Sequence, residues 1–352
     1  MEVKKSSVLK RVVHLPFYKT NQYQIELGKR LKDLGYETIP ANYSNVLKQN
    51  YDLLHIHWLP KFSVDRTNIG RLRRLIIYLY RAKKMGIPII WTIHNLYDHE
   101  SKYRFIDKAI ARLVILLSNK CHIHSYSARE RFLEEYKGID PIKIRIIKHP
   151  NYVGCYPITE SRESARSRLG VPSGNLCVLF FGTIRAYKGV SDLVRSFNEA
   201  EIPKATLVIA GRPMFEADLD YIKELAKNNS NIVLNPGIIS DDLLHIYYLA
   251  SDIVALPYKD ILTSGAALLA MSFSKACVCP KIEVFKELFD DRGVFYYNRH
   301  KRNDLKNALN KIDGSRSDLV RMGEAQRVKA EEYSWSGFSK DIADLYNDVI
   351  SK

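Results

Sequence analysis

Cysteine is scarce in this 352-residue chain, with five copies, an odd number, and no C-x-x-C pair. That excludes a disulfide framework and points to a reducing compartment. Cys277-Val-Cys279 reads as the inward side of one buried strand rather than a metal pair. Long apolar runs are missing as well. Runs such as Leu75-Ile-Ile-Tyr-Leu-Tyr80 and Leu113-Val-Ile-Leu-Leu117 are short, far below the roughly 18 residues that a spanning helix needs. The opening MEVKKSSVLKRVVH has no apolar h-region, so no secretory leader is expected. The expectation is a cytoplasmic protein, at most peripheral on the inner face of the plasma membrane. Acid is short in one half only. Residues 1–158 carry 28 Lys and Arg against 13 Asp and Glu, while residues 159–352 carry 26 of each. The whole net charge of +15 therefore belongs to the first half, which suits a polyanionic partner such as a membrane surface, a nucleic acid or an acidic substrate.

What is present is a repeated strand–helix alternation. Val12–Leu15, Asp52–Trp58, Ile87–Ile93, Cys121–Ser125 and Ile144–Lys148 read as strands, separated by helical patterns that include a basic one from about Ile69 to Met85. After the irregular HPNYVGCYP and a polar stretch to Arg168, a second alternation starts at Val178. Both halves predict a doubly wound parallel sheet, with boundaries at 1–158, 159–335 and a terminal amphipathic helix at 336–352 returning toward the first domain. Two such domains imply a cleft where strand C-terminal ends would meet.

The most informative segment is Val178-Leu-Phe-Phe-Gly-Thr-Ile-Arg-Ala-Tyr-Lys-Gly189. A buried strand meets Gly182, a loop with Arg185 and Lys188, then Gly189 and a helix. Free backbone N–H groups, a helix dipole and two cations beside each other make a phosphate or diphosphate cradle. Thr263-Ser264-Gly265 opens a later helix in the same manner.

The ordered series FFGTIRAYKGV (180–190), TLVIAGRP (206–213), IVLNPGIISDDLLHIYYLASDIVALPY (232–258) and TSGAALLAMSFSKACVCP (263–280) resembles the GT-B glycosyltransferases, specifically the retaining family 4 type. DLLHIHW (52–58), PIIWTIHN (88–95) and IIKHPNY (146–152) extend the resemblance to the first half. It implies two Rossmann-like domains facing across a cleft, an acceptor-binding one first and a nucleotide-sugar-binding one second. It further implies transfer of a sugar from a nucleotide-diphosphate sugar to a glycan or polyprenyl-diphosphate-linked acceptor, with retention, in bacterial polysaccharide or glycolipid assembly. By resemblance Arg185 and Lys188 grip the donor diphosphate and His94 faces the donor sugar or the reacting centre. Gly182, Gly211, Arg212, Asp260, Thr263, Ser264, Gly265 and Glu287 are the donor-side residues, and Asn21, Tyr23 and Asn95 the acceptor-side ones. His99-Glu100 is a surface or supporting pair.

Two departures stand out. The arginine lies three residues before Lys188 rather than five, where this chain has Thr183. The paired glutamates of the family are missing, with Ile261 and Leu269 in their places. Asp260 either takes over the first acid's role or is an exposed turn residue.

Asp218-Leu-Asp220 opens a helix rather than a loop, so no required metal and no cofactor are expected, and no facing carboxylate pair suggests hydrolysis. Residues 67–85 set Arg and Lys around an apolar stripe, which is either an interfacial helix on an anionic membrane, extended by Lys102, Arg104, Lys108 and Arg112, or a helix packed on the sheet with a solvated basic edge. The alternatives in function are a GT-B sugar-nucleotide epimerase and a nucleic-acid-binding protein. The second leaves the neutral half without a role, so no nucleic-acid partner is expected.

Overall fold

The computed structural model describes residues 9–44, 50–60, 66–96, 101 and 103–351; His99, Glu100 and Lys102 lie outside them. Its two compact units are Met1–Pro150 with Tyr333–Lys352, and Asn151–Glu332. The division falls at Pro150/Asn151, earlier than the composition shift at 158/159. Asn151 Nδ2 donates to the Ala330 carbonyl (2.8 Å) and the Tyr152 amide to Ser272 Oγ (2.9 Å), which ties this segment to the second unit.

The first unit alternates β1 (Lys10–Leu15), α1 (Gln22–Asp33), β2 (Tyr36–Pro40), β3 (Leu53–Ile56), α2 (Arg66–Lys84), β4 (Ile89–Thr92), α3 (Arg104–Leu117), β5 (Lys120–Ile123), α4 (Tyr126–Glu135) and β6 (Ile144–Ile146). Its parallel sheet runs β2-β1-β3-β4-β5-β6. The second unit contains α5 (Arg162–Arg168), β7 (Leu176–Phe181), α6 (Val190–Ala200), β8 (Ala205–Gly211), α7 (Glu216–Ala226), β9 (Ile232–Pro236), α8 (Asp241–Ala250), β10 (Ile253–Ala255), α9 (Gly265–Ser272), β11 (Ala276–Pro280), α10 (Glu283–Leu288), β12 (Val294–Tyr297), α11 (Asp304–Asp313) and α12 (Leu319–Glu331). Its parallel sheet runs β12-β11-β10-β7-β8-β9. Central strands covered on both faces must be apolar throughout, and every residue of β8 is buried. Among the described residues no helix is long and apolar enough to cross a membrane.

Helix α13 (Trp335–Ile350) completes the first unit. Trp335, Phe338, Ile342, Leu345, Tyr346 and Val349 fall at helical spacing and are buried, and the helix packs on α1. The sheet layer associated with it is not the usual Val/Ile carpet. His14, His55, His57, His94, His122, His124 and His149 are all buried, with the rings of Tyr23, Phe338 and Tyr346 against them. Partnering is chain-like. His14 Nδ1 and His57 Nε2 share a hydrogen bond of 2.9 Å, while His55 bridges the Tyr346 hydroxyl (2.6 Å) and Thr92 Oγ1 (2.7 Å). Thr92 Oγ1 in turn meets His122 Nε2 at 2.6 Å. His124 Nδ1 donates to the Ile147 carbonyl and His149 Nδ1 to that of Pro150.

Burial disfavours imidazolium in this layer. It pushes His14 down to about 3 and His149 to about 4, and it takes the other five well below 6.5, with neighbouring histidines adding to the effect. Burial therefore holds these seven rings in the neutral form at pH 7.

In the second unit, the N-terminal ends of the strands are fastened by Asp252. It pairs with Arg162 and, at 2.6 Å, with Arg166, and accepts from the Cys177 amide at 2.7 Å. A cavity of about 580 Å³ lies here, lined in part by Arg162, Arg166, Asp252 and Arg316. Each of these guanidiniums is already bonded to carbonyl oxygens or carboxylates, so this cavity is a structural joint at the end of the sheet opposite the Lys188 loop.

The histidine layer makes the first unit acid-labile. Because the folded-state pKa values lie below that of the unfolded chain, the unfolded chain binds more protons as pH falls below about 6.5. Seven such groups together cost on the order of 9 kcal/mol between about pH 7 and 5.5, comparable with a whole domain's stability. The thermal midpoint, followed by near-ultraviolet circular dichroism, should fall steeply over that interval. A midpoint that does not move would contradict the neutral-layer assignment.

Candidate functional site

Strand order decides where the second unit can bind a ligand. From β7 the chain moves to β8 and β9 on one side, then returns to β10 on the other. The loops after β7 and β10 therefore leave in opposite directions, and a crevice opens between them at the strand C-terminal ends. The sequence-predicted cations lie on the first of these loops and the Thr263-Ser264-Gly265 turn on the second.

Glycine is required where these loops close on each other. Gly182 has φ 132° and Gly211 φ 141°, and a Cβ on Gly211 would stand 2.1 Å from the Gly182 carbonyl oxygen. Gly189, with φ 69°, caps the single turn Ala186–Lys188 and starts α6, and its Cβ would meet the Pro257 carbonyl at 2.0 Å. The Ile184 amide donates to Arg212 O (2.8 Å), the Gly182 amide to Ala210 O (2.9 Å) and the Lys259 amide to Tyr187 O (2.7 Å). The cradle is thus a rigid, backbone-stitched structure.

Lys188 is half-buried and reaches back over the loop. Its Nζ would lie 3.0 Å from a Cβ on Gly182, and it sits 5.6 Å above the Tyr258 ring. Loss of water, and then the nearby Arg185, pushes its ammonium down to about 8. Among the described residues no carboxylate pairs with it. Arg185 stands over the Tyr187 ring at 5.2 Å.

Across the crevice, Ser264 N-caps α9 by accepting from the Ala267 amide (3.1 Å), and the Tyr258 hydroxyl bonds the Ser264 side chain. Thr263 and Gly265 are half-buried at the same helix start. Its first amides and dipole can hold an anion.

The remaining donor-side residues are more scattered. Arg212 is exposed, while Asp260 and Glu287 are half-buried, the latter on α10. Ile261 and Leu269 are 6% and 9% exposed, so apolar side chains turned inward occupy the two glutamate positions. Sequence reasoning missed Tyr152 and Tyr258. The first places its hydroxyl 3.4 Å from where a Gly265 Cβ would be, and the second shares Lys188 and Ser264. Both sat in quoted motifs, but only the folded loops bring them to the cations.

In the first unit the acceptor-side residues separate. Asn21 spends its side chain capping α1, Oδ1 accepting from the Gln24 amide at 3.1 Å. Tyr23 is 3% exposed and lies in the core, ringed by His94, His149, Trp335 and Phe338. An edge residue narrowing a binding surface would have to be accessible, and Tyr23 is not. Asn95 is exposed. His94 ends the histidine layer, stacked on Trp58 with centroids 4.6 Å apart and planes 15° apart, and its Nε2 is buried without a hydrogen-bond partner. Both His55 and His57 are buried.

Comparison with known proteins adds four findings. Residues 161–329 match the family described as glycosyl transferases group 1. A GDP-mannose:glycolipid 4-beta-D-mannosyltransferase of Xanthomonas campestris pv. campestris is 26% identical over 80% of this chain and 77% of its own length. Among solved structures, sucrose-phosphate synthase from Thermosynechococcus elongatus superposes with TM-score 0.77 at 15% identity, covering 97% of this chain and 99% of that one. The Anabaena protein HepE, solved with UDP and glucose, does so with TM-score 0.73 at 15% identity over 96% and 99%. The two six-stranded parallel sheets are those of the GT-B fold.

The glycine contacts give a direct test. Gly211→Ala should cost about 2–4 kcal/mol of unfolding free energy, through a left-side φ and a Cβ against a carbonyl. Gly265→Ala, with ordinary φ and only a 3.4 Å neighbour, should cost far less. Equal denaturation midpoints for the two variants would refute the rigid-cradle description.

Proposed function

We propose that this chain, a glycosyltransferase of the GT-B fold and a hexosyltransferase in type, moves a hexose from a nucleotide-diphosphate sugar to a glycolipid acceptor presented at an anionic membrane surface. The observation that carries the donor half is Lys188. A part-desolvated ammonium beside a second cation, with no carboxylate partner among the described residues, is costly unless an anion arrives to neutralise it. Departure of a nucleoside diphosphate puts negative charge on the leaving oxygens, and the transition state gains most from fixed positive groups already aimed at them. Lys188, Arg185 and the first amides of α9 are such groups. The reading requires no metal and no cofactor from the protein.

The other residues take roles that follow from their positions. Gly182 and Gly211 let backbone approach the phosphates. Thr263 and Ser264 line the helix start, and Asp260, Glu287 and Arg212 are the polar groups left for ribose and hexose hydroxyls. His94, neutral and held by Trp58, supports the reacting side in the first unit, with Asn95 exposed next to it.

The acceptor half rests on α2 and α3. Leu75, Tyr78, Leu79 and Ala82 of α2 are buried, which satisfies its packing. A second apolar stripe remains uncovered, with Ile69 46%, Ile76 45% and Tyr80 66% exposed. It is bordered by Arg73, Lys83 and Lys84, all exposed. Helix α3, which touches α2, exposes Phe105 and Leu116 as well. Exposed apolar groups among cations, in the half that holds all the excess charge, fit the interface of an anionic bilayer. The glycolipid in the Xanthomonas relative's name supports the same acceptor class.

Retention at the anomeric carbon is the course that the family 4 resemblance favours, with the leaving phosphate taking the acceptor proton. Inversion is the second reading, because the same relative is named for a β-linked product and GDP-mannose carries an α-linked sugar. The anomeric configuration of the product, read by NMR, separates the two.

The donor assignment is tested by thermal stabilisation with UDP-, GDP- and ADP-hexoses and by their slow hydrolysis. The matching nucleotide sugar should stabilise the protein, and Lys188→Ala should weaken that binding about 10–100-fold. Because Lys188 is charged below about 8, affinity should fall about tenfold per pH unit above that value. Binding that is flat with pH, or unaffected by Lys188→Ala, would remove Lys188 from the site.

A further inference from the structure

The first unit has its own strand reversal, and two aromatic residues flank it. The chain leaves β1 for β2 on one side and returns to β3 on the other, so the loops after β1 and β3 bound the crevice at this sheet's C-terminal ends. Tyr18 lies on the first loop and Trp58 on the second.

Their ring centroids are 5.4 Å apart and the planes tilt by 48°, so the two rings meet at an angle rather than stacking face to face. Tyr18 is 50% exposed, and Trp58 is half-buried with His94 stacked parallel behind it.

Both loops are held by buried side chains. Gln24, fully buried, donates from Nε2 to the Pro16 carbonyl and accepts the Tyr18 amide on Oε1, each at 2.8 Å. The Tyr43 hydroxyl donates to the Trp58 carbonyl (2.8 Å), and the Tyr78 hydroxyl to the Tyr43 carbonyl (2.6 Å). Core packing accounts for one side of Trp58, through His94, but not for the pinning of the half-exposed Tyr18. A ligand that needs two flat surfaces at a fixed angle accounts for it.

We propose that Tyr18 and Trp58 form the platform on which a pyranose ring of the acceptor glycan lies. A hexopyranose presents one face of C–H bonds, weakly positive and apolar, which packs on the electron-rich face of an aromatic ring. Its hydroxyls point outward to polar groups: Lys19 and Thr20 are exposed directly after Tyr18, and Asn95 is exposed directly after His94, the residue stacked on Trp58. Arg71, at the start of α2, acts electrostatically on both the Tyr18 and the Tyr43 phenols. A cation therefore stands at the edge of the platform, on the helix whose exposed stripe faces outward with Ile69, Ile76 and Tyr80. The acceptor's sugar, an adjoining anionic linkage and its lipid would then follow one path from Tyr18 along α2. This deepens the glycosyltransferase reading and rests on it.

Cellobiose and the methyl pyranosides of glucose and mannose, at millimolar concentration, serve as probes. Saturation-transfer NMR to the sugar C–H protons and tryptophan fluorescence report binding. Wild-type protein should bind at least one probe. Tyr18→Ala should weaken it about tenfold while Tyr18→Phe keeps it, and Arg71→Ala should leave these neutral probes unaffected. Trp58→Phe, which preserves a ring on His94, should keep the NMR signal and lose the fluorescence change. No binding by wild type, or equal binding by Tyr18→Ala, overturns the platform. Nucleotide-sugar stabilisation, measured on the same samples, reports on the second unit alone. Its loss together with sugar binding would sink the transferase reading, whereas its persistence without sugar binding would sink only the platform.

Discussion

One topological constraint organises both units: the first strand of each sheet is flanked by strands reached in opposite directions. Right-handed crossovers force the two following loops apart at the strand C-terminal ends, and no other place on a parallel sheet leaves backbone and side chains so free to serve a ligand. In the second unit that place holds Lys188, Arg185 and the start of α9. In the first it holds Tyr18 and Trp58. The same rule applied twice yields two different surfaces, a cationic one stitched by glycine contacts and an aromatic one pinned by Gln24 and Tyr43. The chemistry divides accordingly, with charge met where a diphosphate would leave and flat apolar surface where a neutral sugar would rest.

Much of the second unit was legible in the sequence because its signals are local. Val178–Phe181 is apolar without interruption, Gly182 and Gly189 punctuate it, and Ser264 is a good N-cap one residue before a helix. The first unit was harder. His55-Ile-His57 and His122-Ile-His124 put polar side chains on one side of their strands, and no neighbouring residue shows that this side is closed. Their burial is decided by α13, far away in sequence, whose Tyr346 bonds His55. Tyr23, read as acceptor-side, is covered in the same way, because the distant Trp335 and Phe338 enclose it. Asn21 also caps α1, as a residue just before a helix often does. The basic helix was read as packed or interfacial, and it has one apolar face for each.

The absent glutamates change the electrostatics of the donor region more than its shape. Buried Ile261 and Leu269 leave no carboxylate at those positions to offset Lys188. A cation that would otherwise be partly neutralised stays available, and its low proton affinity records the strain.

The first unit is discontinuous, since Tyr333–Lys352 belongs with Met1–Pro150. During synthesis the ribosome delivers β1 to β6 long before α13. Until that last helix emerges, His55 lacks its Tyr346 partner and the aromatic cover over the imidazoles is incomplete. The intervening unit, whose residues are contiguous, can close first. The nascent chain therefore carries a wet, polar sheet face through most of translation instead of a sticky aliphatic one. A layer of imidazoles is a more polar face to leave open until α13 arrives than an aliphatic one.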